Sequence, residues 1–300
     1  MWPATKRRAS SGGLGSADGR WQGNGRADGR RWDNGRADQA PVRGRELRYD
    51  SREFRAASEL AMRLSGSPPV SALIGSVVRD PALLRVLVAV WRLPVVDLQV
   101  RRAEADIRFG AYFRPARRPV FTGPWAQAVL ELPTVEEHYL AGRSKQALRT
   151  NLRHARDVGV TSDRVPTYEA WLRAASVIQH SRGDGPALAR EMGMPEPGQQ
   201  MAYYVARDAD ETPLAYAGVA LFGQFACLFT MFSHLDRQPS ASWARYQLHT
   251  FLALDLGCSG VKHLLVGSAL RQGVGNQYFQ QLLGYRVRNL RIEVIESDAA

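Results

Sequence analysis

The chain has 300 residues, 45% of them hydrophobic, and a formal charge of +11. That apolar content is enough for a sizeable core, which excludes a fibrous protein and disorder throughout. No apolar run is long enough to span a bilayer: the nearest approach, 83–100, is broken by Arg85, Arg92, Pro94 and Asp97. The N-terminus is basic with no apolar stretch behind it, which argues against a secretory leader. Cys227 and Cys258 lie in apolar surroundings without metal-type spacing and read as buried thiols of a reducing, cytoplasmic compartment.

Residues 1–45 carry ten basic and four acidic side chains, net +6 of the chain's +11, so the remainder is only mildly basic. A nucleic-acid surface would concentrate charge on the folded part. The first 45 residues also repeat, ADGRWQGNGR at 17–26 returning as ADGRRWDNGR at 27–36. They hold too few aliphatic side chains to offset the ordering of their backbone, so they read as a disordered tail.

Folding is expected from Glu46. Residues 50–64 and 70–92 have apolar residues at helical spacing. Strands follow at 95–100, at 107–113 with alternating Ile107, Phe109, Ala111 and Phe113, and at 128–132. Thr134 and Glu137 have capping-box spacing and open a helix through Leu140. Ser144 is the expected cap of a helix that ends at Gly159, with Leu148, Leu152 and Ala155 as its inward stripe. Beside that stripe run Arg149, Arg153 and Arg156, either a solvated face or a seat for the phosphates or carboxylates of an acceptor, tRNA included. A further helix spans 167–180.

The last hundred residues carry most of the pattern. Strands at 201–208, 214–222 and 225–233 are joined by short turns into an antiparallel meander. The polar loop 235–241 leads into a helix over 242–256 with Ala244, Leu248, Phe251 and Leu252 on one face. A strand at 262–267, a helix at 274–283 and a strand at 285–294 close the chain. The loop entering the helix at Ser242 offers backbone N–H groups and the positive end of a helix dipole, with Arg237 and Arg245 as added cations and small Ser240 and Ser242 at the approach. That is the chemistry of a phosphate seat, and equally that of an ordinary Ser-capped helix. His138, His154, His180, His249 and His263 have no partner at metal spacing, and no metal site is expected.

This order resembles the GNAT acyltransferase superfamily, most closely its branch of Fem-type peptidoglycan aminoacyltransferases and exopolysaccharide-cluster acetyltransferase-like proteins. Three stretches carry the resemblance: SKQALRTNLRHARDVGV (144–160), the meander 201–233 with its following loop and helix, and NQYFQQLLGYRV (276–287). The resemblance implies an α/β fold with a mixed, mostly antiparallel sheet flanked by helices in two lobes. These are a degenerate first lobe at 46–133 and an acyltransferase domain at 134–296. It further implies acetyl-CoA or another acyl-CoA as co-substrate, or aminoacyl-tRNA in the Fem-type branch. The acceptor would be a small molecule, peptide or sugar carrying an amine or hydroxyl.

In the register of that family, the donor's carbonyl meets the end of the third meander strand at Phe232 and Ser233. His234 stands next as a base or a solvated loop histidine. Where the family's donor loop carries glycines, RQPSAS (237–242) has serines. Gln280 stands where family members often have a tyrosine or lysine acid, a role a neutral amide cannot fill. Tyr278 on the same helix is the substitute acid, or packs beside Phe279. The third alternative is a binding protein of this fold without turnover.

Overall fold

The computed structural model describes residues 46–63, 82–101, 126–183 and 198–295. The expected tail over 1–45 and the expected strand over 107–113 lie outside them, as does the start of the second helix. In chain order the elements are α1 (Arg52–Arg63), α2 (Ala82–Trp91), β1 (Val95–Arg101), β2 (Gln127–Glu131), α3 (Glu136–Leu140) and a 3-10 turn (Arg143–Lys145). Then come α4 (Gln146–Asp157), β3 (Thr161–Val165), α5 (Tyr168–Ser181), β4 (Gln200–Arg207), β5 (Pro213–Phe222) and β6 (Phe225–Ser233). The chain closes with α6 (Ser240–Cys258), β7 (His263–Ser268), a second 3-10 turn (Ala269–Arg271), α7 (Val274–Leu283) and β8 (Arg286–Ile295).

All eight strands form one sheet in the order β1-β8-β2-β7-β6-β5-β4-β3. Two pairings are parallel, β1 with β8 and β6 with β7, and the other five are antiparallel. This is the mixed, mostly antiparallel α/β build expected from the sequence. Strand β2, from the segment before residue 134, is inserted between β7 and β8 from the segment after it.

Burial explains the strand sequences. β5 reads PLAYAGVALF, almost continuously apolar, because helices cover both of its faces. On one face α4 and α6 bury Leu148, Leu152, Ala244, Leu248 and Leu252 against Tyr204, Ala217 and Val219. On the other, α5 buries Trp171 between Tyr203 and Tyr216, and the indole N–H donates to the Ala217 carbonyl at 2.9 Å. Thr167 caps α5, accepting from the Ala170 N–H at 3.2 Å. β1, by contrast, alternates exposed with buried Leu98 and Val100, the pattern of an edge strand.

Several local expectations are corrected. The Thr134 and Glu137 capping box does not form: α3 starts at Glu136 behind Val135, with no side-chain cap. The Leu132 N–H donates to the Lys262 carbonyl at 2.9 Å and the Pro133 carbonyl packs against Gly257, so the chain stays extended two residues longer. Ser144 does not cap α4, because residues 143–145 wind into a 3-10 turn that carries Lys145 across to the end of α7. α6 starts at Ser240, after a cis Gln238–Pro239 bond, and runs through Gly257 to Cys258. Cys227 is buried, but Cys258 is exposed. Strand β3 carries little apolar alternation and pairs with β4 as an edge. Among the described residues no helix is long and apolar enough to cross a membrane.

Candidate functional site

β6, α6 and β7 form a parallel strand–helix–strand unit, and its two strands do not stay together. They pair at Phe225 with His263, Ala226 with Leu264 and Cys227 with Leu265, and there the pairing ends. β6 continues to Ser233 against β5, while Gln127 of β2 pairs with Ser268 at the end of β7. Each strand thus keeps its outer neighbour and loses its inner one, opening a crevice at the carboxyl ends of the pair.

A bulge lies beside this parting. Gly218 of β5 faces Thr230 while Val219 faces Leu228, so Phe229 is an extra residue on β6. Its ring lies over Gly218, where a Cβ would collide with it. Beyond the bulge the strand alternates: Met231 packs on the α6 side and Phe232 on the α5 side. The hydroxyls of Thr230 and Ser268, one on each parting strand, are buried and make no hydrogen bond among the described residues.

The loop 234–239 and the first turns of α6 bring together most of the residues expected at a donor seat, though not in the expected roles. Ala241 N–H donates to the Arg237 carbonyl at 2.9 Å, and Ser242 and Trp243 N–H donate to Pro239 at 2.9 and 3.2 Å. The first-turn amides at 241–243 are therefore occupied by their own loop. The Ser240 hydroxyl also donates to the Arg237 carbonyl, at 2.8 Å. Arg237 itself is paired with Asp208 at 3.2 Å. Ser242 is half-buried. Ser233 is buried and its carbonyl accepts from Arg182 at 3.2 Å.

Arg245, one turn further along, is differently placed. It lies 4.5 Å above the Phe279 ring, its Nε is buried, and it makes no hydrogen bond or ion pair among the described residues. Burial lowers its pKa, and the like charge of Arg182 adds to that while Tyr246 opposes it. Arg182 ends α5, 5.1 Å from the Phe232 ring. Two guanidiniums from opposite faces of the sheet thus feel one another across the end of β6. The sequence pointed to Arg245 but not to Arg182, whose position immediately after the helix of Trp171 and Ile178 carries no local signal.

His234 donates its backbone N–H to Leu214 at 2.8 Å, and its Nδ1 accepts from the Asp236 N–H at 3.3 Å. In the neutral ring that acceptor role places the proton on Nε2, which makes the free nitrogen a donor and not a base. Burial lowers its pKa, with Asp236 opposing and Arg237 adding. Tyr278 is 56% exposed on α7 and couples electrostatically to Tyr246 of α6, whose ring meets Phe279 at 5.0 Å. Gln280 points away from the solvent into the seam with the N-terminal segment, accepting from the Tyr49 hydroxyl at 3.1 Å.

The arginine stripe of α4 is largely committed internally. Arg149 donates to the Leu140 and Gly142 carbonyls at 2.6 and 2.8 Å, and Arg156 pairs with Glu136 at 2.8 Å. Arg153 is exposed. Behind the crevice, His249 lies 2.7 Å from the Tyr285 hydroxyl, fully buried. Burial, with Lys145 and Arg245 nearby, pulls it down to about 3, so it is neutral at physiological pH. Among the described residues no three His, Cys, Asp or Glu side chains gather as metal ligands.

No family model and no curated protein matches the sequence. Among solved structures the chain is similar to GNAT-fold proteins. FemX is 9% identical over 54% of this chain and 59% of that one, with a TM-score of 0.44. L-PGS from Bacillus licheniformis is 12% identical over 54% and 57%, with a TM-score of 0.40. A GCN5-related N-acetyltransferase from Kribbella flavida is 13% identical over 55% and 54%, with a TM-score of 0.32. The chain spans less than two thirds of the length of each, and the likeness is one of fold.

Proposed function

We propose that this chain is an acyltransferase that takes an acyl group from an acyl-coenzyme A, such as acetyl-CoA, and passes it to an amine or hydroxyl of a small molecule, peptide or sugar. The parting of β6 from β7 after three residue pairs carries this reading. Open sheets bind ligands beyond the carboxyl ends of their parallel strands. An amide-bearing arm such as pantetheine can add to the strand edge exposed there. Phe232 and Ser233 close that edge, and Arg245 is the cation assigned to the donor's diphosphate. Arg237, Ser240 and Ser242 join it only if the loop 234–239 gives up its own hydrogen bonds.

In the transfer itself, the acceptor nitrogen or oxygen bonds to the thioester carbon, the C–S bond breaks, and the acceptor's proton is lost as the thiolate gains one. His234 fits the carbonyl oxygen better than the amine proton, since its free Nε2 is a donor. Tyr278 is assigned to the departing thiolate. Arg153, exposed on α4, is assigned to the acceptor side, and Arg149 joins it only by giving up the Leu140 and Gly142 carbonyls. An aminoacyl-tRNA donor is less favoured, because Arg149 and Arg156 already hold internal partners.

One observation favours a second reading, donor binding without turnover: Gln280 is 3% exposed and occupied by Tyr49, so no acid stands at that position. Calorimetry with acetyl-CoA and longer acyl-CoAs, followed by a thiol-release assay over amines, sugars and peptides, separates the readings. Binding with release supports transfer, and binding without release on any acceptor supports the second reading. No binding by folded protein rejects both.

A further inference from the structure

A cavity of about 530 Å³ lies where the end of α7 and the start of β8 meet the N-terminal segment and β2. None of the crevice residues lines it. Among the described residues its wall carries four cationic side chains, Arg48, Lys145, Arg286 and Arg288, against two carboxylates, Glu46 and Glu131. Arg48 is engaged with Asp50 at 3.2 Å on the exposed side. The other three cations are poorly matched.

Arg288 is 7% exposed, and a guanidinium so deeply placed normally has short, forked contacts to a carboxylate. Here Nη1 and Nη2 both reach a single oxygen of Glu46, each at 3.5 Å. The Nε of Arg286 stretches to the same oxygen at 3.6 Å. One half-exposed carboxylate oxygen therefore serves two guanidiniums, none of these carboxylate contacts is close, and Arg288 adds only a bond from Nη1 to the Val287 carbonyl at 3.2 Å. Among the described residues Lys145 has no carboxylate partner. Its Nζ donates to the Leu283 and Leu282 carbonyls at 2.7 and 3.3 Å and lies 4.4 Å from the centre of the Tyr139 ring. Gly284 admits it, since a Cβ there would stand 2.6 Å from Nζ. Two of the three ammonium N–H groups are thereby used, and the third is left over.

We propose that this cavity binds a phosphate monoester, with Arg286 and Arg288 forked on the phosphate oxygens and Lys145 supplying a point charge. The ligand class follows from the chemistry of the wall. Arginine pairs planar oxyanions in bidentate fashion while lysine acts as a compact cation. The excess of cations over carboxylates calls for a dianion and not a single carboxylate. The volume exceeds what inorganic phosphate fills, so an organic group is attached. Burial, and after it the charge of Arg286, already lower Lys145 to about 8, and a bound dianion opposes both by favouring the charged ammonium. This inference is independent of the acyl-CoA crevice.

Lys145 is one of only three lysines, with Lys6 and Lys262, so labelling the lysine ε-carbons with carbon-13 gives a resolvable NMR signal for it in the full chain with its ammonium unmodified. The probe is inorganic phosphate, with sodium chloride and sodium acetate at matched ionic strength as controls. Saturable movement of the Lys145 signal is expected with phosphate alone, and its titration midpoint should rise from about 8 by roughly one pH unit. Arg286→Gln, at a half-exposed side chain, should weaken the response about tenfold, the loss of one charge-assisted bond, with the far-UV circular dichroism of the variant unchanged. Arg173→Gln, exposed on α5, should leave it unchanged. A Lys145 signal that phosphate does not move, that chloride moves equally, or that is indifferent to Arg286→Gln overturns the proposal.

Discussion

Arg245→Met separates the donor seat from the core. Methionine keeps a long, flexible side chain against the Phe279 ring, which now lies 4.5 Å from the guanidinium. A sulfur–aromatic contact of about 0.3–1.5 kcal/mol replaces a cation–π contact of about 0.5–1 kcal/mol. The substitution also removes a buried Nε without an acceptor and the repulsion from Arg182. These terms nearly cancel, so unfolding free energy should stay within about 1 kcal/mol of the parent, a shift of no more than about 2–4 °C in Tm.

Donor affinity should behave differently. A charge-assisted hydrogen bond to a phosphate oxygen contributes about 1.5–3 kcal/mol, or roughly ten- to hundredfold in Kd. Urea titration and calorimetry with acetyl-CoA on the same preparations measure both quantities. A variant that loses stability by more than about 2 kcal/mol while binding acyl-CoA as before would show Arg245 to be a packing residue, and the reasoning would fail.

Four further outcomes are expected. Gly218→Ala should destabilise by about 1–3 kcal/mol through the Phe229 ring, and Gly218→Ala combined with Phe229→Ala should recover part of that loss in a double-mutant cycle. Gly257→Ala gains about 1 kcal/mol in helix propensity but drives a Cβ into the Pro133 carbonyl, a backbone atom that cannot swing away, so chemical denaturation should show a net loss. Thr167→Ala removes the cap of α5 and should cost about 1 kcal/mol by the same measurement. His249 titrates at about 3 in the folded chain, below its ordinary value, so the unfolded chain takes up that proton first as pH falls. Its contribution is complete above roughly pH 6.5 and drains towards pH 3 at up to about 1.4 kcal/mol per pH unit, and His249→Gln should flatten stability measured across that window.

Local pattern carried the order of elements well. The helix over 274–283 coincides with α7, the meander strands lie within a residue of β4, β5 and β6, and Leu148, Leu152 and Ala155 are buried as their spacing requires. Errors fell where a distant partner overrode a short motif: Thr134 lost its cap to the hold of Lys262 and Gly257 on the preceding residues, and Ser144 lost its cap to the pull of α7 on Lys145. The candidate site was legible only in its composition. His234, Arg237, Ser240, Ser242 and Arg245 are neighbours in the chain and remain so in space. Their partners, Asp208 for Arg237 and Phe279 for Arg245, are tens of residues away.

By itself, then, the amino-acid order determined most of the described helices and strands, though not β3, because those depend on periodicities of two and 3.6 residues within one segment. The tertiary structure decided where β6 leaves β7, how the Phe229 bulge falls over Gly218, and that Arg288, Arg286 and Lys145 share one cavity wall. Each of these is a relation between segments whose register is set by simultaneous packing of both sheet faces, and no local spacing encodes it.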